Sequence, residues 1–117
     1  MPMNPTLRAA FGDELRAAVE AEARAELPRA WRHLERAHVL SQAFVWPHIV
    51  VHWRMLGYGW RRRDVKEMAG QVARVLGAGP ASWLGRAPVG NTGGANVGIF
   101  TPMPIPDDLR AILDAEG

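Results

Sequence analysis

Apolar residues recur at helical spacing through the first two thirds of this chain, and polar or breaking residues punctuate them into four segments. Leu7, Phe11, Leu15, Ala18 and Val19 draw one stripe over residues 4–26 in alanine-rich sequence, with Pro28 as the boundary. Pro28 also suits the first turn of a second helix, 28–41, on which Leu27, Trp31, Leu34 and His38 share a face with Glu35 at its edge. His33 points the opposite way and reads as a surface residue. Trp46-Pro47 opens a third helix to Gly57 or Trp60, its apolar face drawn by Ile49, Trp53, Leu56 and Trp60. His48 and His52 flank that face beside Met55. Asp64 is a good N-cap, with Glu67 three residues on, for a fourth helix over 65–77. Val65, Met68, Val72, Val75 and Leu76 are expected to face inward there, and Gly77-Ala-Gly79-Pro80 to stop it, with one further turn around Trp83 and Leu84.

From Arg86 the pattern changes. APVGNTGGANVGIFTPMPIP is rich in Gly, Pro and Asn, which predicts an irregular segment wrapping the helices. Pro106-Asp-Asp-Leu then starts a short terminal helix through Ala115. The expected fold is all-α: a small bundle of about four helices built from helical hairpins, a Gly/Pro-rich C-terminal segment and a short last helix. It forms one domain over 1–117, with core helices in 4–78 and the wrapping loop and short helix in 79–117.

Composition narrows the chemistry. The chain has 117 residues, 48% of them hydrophobic and 22% charged, which suits one folded core. It has no cysteine, so thiolate metal sites, disulfides and thiol nucleophiles are excluded and any metal must be held by nitrogen and oxygen. No apolar run reaches the ~20 residues of a membrane span, and the N-terminus lacks a signal-peptide core, so a cytoplasmic protein is expected. Thirteen of the fourteen basic residues are arginine. They are dispersed, and only Arg61–Arg63 form a run; with a net charge of +2, no nucleic-acid contact is expected.

The stretch Glu35 to Trp60 gathers three of the four histidines and three of the five tryptophans. Glu35 and His38 are three apart, His48 and His52 four apart, and either spacing puts a pair on one helix face. SQAFVWP between them is short enough to fold the two segments into a hairpin. Glu35, His38, His48 and His52 would then converge as a transition-metal site whose donors suit Zn(II), Fe(II), Ni(II) or Cu(II), with zinc or iron expected as the commonest. One ExxH does not suffice for a di-iron bundle, so a mononuclear site is expected. Glu22 and Glu26, on the continuation of the first stripe, are expected to be solvated, with one of them as an alternative extra ligand. Core histidines satisfied by ordinary carbonyls are the competing reading. A second function class is an interaction module receiving a protein partner or a second copy, which would show an exposed apolar patch around Trp46, Trp60 or Tyr58; otherwise the tryptophans belong to the core. In a third, Asn91, Thr92, Gly93, Gly94 and Asn96 form a tight loop that acts as a lid or cradles an anion on backbone amides.

Two resemblances sharpen this. PRAWRHLERAHVLSQAFVWPHIVVHWRMLGYGWRRRDVKEMAGQVARVLGAGP resembles a tetratricopeptide-type unit, with Ala30, Leu34 and Ala37 at the small and apolar positions and Asp64, Glu67 and Gln71 at the following turn and helix; it implies helix-hairpin geometry. ERAHVLSQ, WPHIVVHWRML and PVGNTGGANV with PMPIP resemble a small bacterial family known only as a protein of unknown function, family 3703. That resemblance implies a metal-linked role, through relatives encoded near metal-efflux and metal-responsive regulator genes, and supplies no catalytic residues.

Overall fold

A computed structural model describes residues 3–83 and 103–115, with the side chains of Val65, Val75 and 77–83 left aside. Among these residues the chain forms five helices and no strand: α1 (Pro5–Ala23), α2 (Leu27–Ser41), α3 (Val45–Arg62), α4 (Val65–Trp83) and α5 (Asp107–Asp114). The loop Asn91, Thr92, Gly93, Gly94, Asn96 and the wrapping segment around it lie outside the described residues. No described helix is long and apolar enough to cross a membrane.

Asn4 starts α1 by accepting the Leu7 N–H on its side-chain oxygen at 2.8 Å. The helix ends at Ala23 rather than near Glu26, because Ala25 turns left-handed (φ 59°) and the Glu26 N–H reaches back to the Ala21 carbonyl. α1 and α2 pack along their length as one hairpin, α3 and α4 as another, and α2 joins them through α3. The core runs through this junction: Leu7 and Phe11 from α1, Leu34, Ala37 and Leu40 from α2, Val51 and Met55 from α3. Leu109 carries α5 into the same core, fully buried.

The inward faces differ from the expected ones on three helices. On α1, Val19 is 55% exposed and Ala21 takes its place. On α3 the buried line is His48, Val51, His52, Met55 and Gly59, while Trp53 and Trp60 are 64% and 70% exposed. The expected face is therefore displaced by one residue, about 100° around the helix. The reason lies at Gly59, where an added Cβ would sit 3.2 Å from Met68 Cγ and 3.6 Å from the Met68 backbone nitrogen. That close approach turns the Gly59 side of α3 toward α4 and leaves the tryptophans outside. On α4, Val72 and Leu76 are exposed and Gln71 and Arg74 are buried instead. The helix also runs past Gly77-Ala-Gly79-Pro80 to Trp83.

Polar pairs lock the hairpins. Glu14 of α1 is shared by His33 Nδ1 (2.7 Å) and Arg36 Nε (2.8 Å) of α2, so His33 is a half-buried bridging residue and not a free surface one. Arg36 also pairs with Asp108 of α5. Glu22 takes Arg61 Nη2 at 2.8 Å, and the guanidinium holds its carboxyl below the ordinary value. The Tyr58 ring packs tilted against Trp31, centroids 5.1 Å apart, and its hydroxyl donates to the Leu27 carbonyl, fastening α3 to the start of α2.

Candidate metal centre

The turn after α2 is tight. Phe44 N–H bonds the Ser41 carbonyl at 2.8 Å, and α3 restarts at once, with His48 N–H on the Phe44 carbonyl. This sharp return places the last turns of α2 beside the first turns of α3. His38 comes from the first, His48 and His52 from the second. Their Nε2 atoms form a nearly equilateral triangle: 3.0 Å between His38 and His48, and 3.1 Å on each of the other two edges. The ring centroids are 4.7–4.8 Å apart, and the rings are tilted or edge-on to one another, so the nitrogens meet and the rings do not stack. The three residues are 3–5% exposed.

α4 adds a second layer that the sequence reading did not assign to the site. Gln71, wholly buried, places its side-chain oxygen 2.6 Å from His52 Nδ1. Its amide nitrogen donates to Glu67 Oε1 at 2.7 Å. A carboxylate can only accept, so the amide must turn its NH₂ to Glu67 and its oxygen to His52. His52 therefore donates from Nδ1, and its Nε2 presents a lone pair to the centre of the triangle. Burial holds the His52 imidazole in its neutral form, lowering its pKa to about 4; the Gln71 bond pulls it up in part, and the nearby Arg74 charge pushes it further down. Arg74 is itself buried one turn beyond Gln71, and desolvation lowers its own pKa.

Three nitrogens facing one another pose a problem of proton placement. Each Nε2 is either a donor or an acceptor. With two kinds on three corners, at least one edge joins two of the same kind. No distribution of protons turns all three contacts into hydrogen bonds, whereas a cation at the centre meets three lone pairs at once. The triangle can thus bind a metal ion.

Among the described residues, the metal-ligating atoms that converge are those of His38, His48 and His52. Glu35 is half-buried on α2, one turn before His38. Glu22 is engaged by Arg61 and Arg62, away from the triangle. Gln71 had one signal in the sequence, a polar residue one turn from Glu67 on the fourth helix. Its geometry toward His52 required knowing how α4 rotates against α3.

Fold and site together define a small all-helical protein with a buried three-histidine cluster. The chain belongs to the family described as a protein of unknown function (DUF3703), whose model matches residues 5–113. No curated protein and no solved structure matches it.

Proposed function

We propose that the protein binds a divalent transition metal, zinc first, through the Nε2 atoms of His38, His48 and His52. The observation behind this reading is the closed triangle of Nε2 atoms at 3.0–3.1 Å, with the His52 tautomer set by Gln71. Atoms so spaced lie about 1.8 Å from their common centre, so an ion at the ~2.0–2.1 Å zinc–nitrogen distance sits roughly 1 Å out of their plane. Three corners of a tetrahedron are filled in that way, and one face of the ion is left for a further donor. All three donors are neutral imidazoles, which favours zinc over iron, whose mononuclear sites recruit a carboxylate. The depth of the site favours retention of the ion over rapid turnover, in a storage, sensing or homeostatic role.

Tag-free protein is the material for the test, because a polyhistidine tag would bind metal itself. Elemental analysis is expected to find about one equivalent of zinc per chain, falling below a tenth in His48→Ala and His52→Ala while circular dichroism stays helical. Co(II) reconstitution should give the intense visible bands of a tetrahedral nitrogen site. Wild-type protein that neither carries nor takes up stoichiometric metal removes this reading.

A further inference from the structure

Three of the tryptophans that the sequence suggests for the core stand on its outside. Trp46, Trp53 and Trp60 are 73%, 64% and 70% exposed, at intervals of seven residues along α3. Seven residues return a helix to nearly the same face, so the three indoles form one stripe. Val50, also exposed, and Gly57 fall between them at the intervening 4/3 positions and complete a heptad seam. Val19 of α1 lies across a groove from Trp53 and Gly57 and extends the apolar surface sideways. Exposed tryptophans in a row are the residues most enriched at binding hot spots.

We propose that this stripe is a self-association surface, on which α3 packs antiparallel against α3 of a second copy with Trp53 at the twofold axis. The inference is independent of the metal reading. Its first support is symmetry. The stripe is nearly its own image about Trp53, with Trp46 seven residues before and Trp60 seven after, so an antiparallel copy sets each Trp46 against the other chain's Trp60. An isologous interface requires this kind of self-complementarity. Gly57 leaves a gap opposite the region of Val50 in the second copy, a small hole for a branched knob. Antiparallel alignment also opposes the two helix dipoles, where parallel alignment would bring like ends and both Arg61–Arg62 pairs together.

Area is the second support. A tryptophan buries ~150–250 Å², so three that are about two-thirds exposed offer roughly 300–500 Å² per copy. Val19, Val50 and the aliphatic stem of Arg54 carry this toward the ~800 Å² per partner of a stable interface. Charge is the third. At the end of the stripe Arg61 and Arg62 share the one Glu22 carboxylate, which offsets part of their charge within the chain. The stripe itself is apolar, and the antiparallel arrangement sets the residual positive charge of the two copies at opposite ends, as a closed pair requires.

Sedimentation of the full metal-replete chain at tens of micromolar is expected to give twice the 12.9 kDa chain mass. Trp53→Glu, which sets two carboxylates against each other at the axis, should convert it to monomer with helicity and metal content unchanged, and Trp46→Glu should weaken it more than tenfold. The absence of cysteine allows a direct test of direction. Under mild oxidation Trp53→Cys should cross-link to itself, whereas Trp46→Cys and Trp60→Cys should cross-link with each other when mixed and far less when alone. A wild-type monomer at these concentrations, a dimer indifferent to both glutamate substitutions, a monomer that instead co-sediments with anionic vesicles, or self-linking at 46 and 60 each overturns the proposal.

Discussion

Gln71 decides how the histidine triangle behaves. It holds His52 by Nδ1 at 2.6 Å and is itself held by Glu67, so rotation of the imidazole would break its bond to a fixed partner. Outer partners of this kind typically set metal affinity within a factor of 10–100. Gln71→Leu is therefore expected to weaken zinc binding by that factor in competition with a fluorescent chelator, with the helical circular dichroism unchanged. The neutral state of His52 also has a consequence for stability. Its pKa is about 4 in the folded chain against an ordinary 6.5, so between those values the unfolded chain takes up the proton and the folded one does not. Stability from this group is complete above pH ~6.5 and is lost as the pH falls toward ~4. Thermal melts of the metal-free protein should show a falling midpoint across that window, with a shallower fall in His52→Asn.

At the level of elements, the orientation of α3 decides which side chains meet. Gly59 lies against Met68 and the left-handed Arg63 (φ 56°) ends the helix, with Asp64 N–H closing back to the Gly59 carbonyl at 2.9 Å. Asp64 then caps α4 by accepting the Glu67 N–H at 3.0 Å, the N-cap visible in the sequence. A branched side chain at 59 must push α4 away, and overpacking of this kind costs ~1–3 kcal/mol. Gly59→Val is expected to lower the urea midpoint accordingly and, by separating Gln71 from His52, to reduce zinc retention in the same protein. The rotation of α3 was the least legible feature. Trp53 and Trp60 outweigh His48 and His52 on any hydrophobic scale, so a wheel drawn from residue type alone turns the indoles inward. Val72 and Leu76 mislead in the same way on α4, because the inward positions there serve the histidines through Gln71.

Across the whole molecule, the histidine triangle bridges the two hairpins. His38 belongs to the α1–α2 pair and His48 and His52 to the α3–α4 pair, and the contact between the pairs runs through α2 and α3. An ion bound by all three would tie the hairpins where they meet. Binding to the folded state alone stabilises it by about 2.7 kcal/mol at a hundredfold excess over Kd. Zinc should accordingly raise the melting temperature, a chelator should return it to the metal-free value, and His38→Ala should abolish the difference. Arg36 braces the opposite side of α2, joining Glu14 of α1 to Asp108 of α5, and its hydrogen bonds to Asp108 and Glu14 raise its already high basicity further against the opposing effect of desolvation.

The sequence by itself determined the helices and their order, the tight return between α2 and α3, and the pairing of histidines at helical spacing. Those features follow from local rules of period, capping and turn chemistry acting within a few residues. Only the tertiary structure decided that His38, His48 and His52 converge, that Gln71 and Glu67 stand behind them, and that the tryptophans of α3 face outward. Each depends on how one helix rotates about its axis against another. That rotation is set by small residues such as Gly59 and by long-range polar pairs, whose partners are too far apart in the chain for a local pattern to couple them.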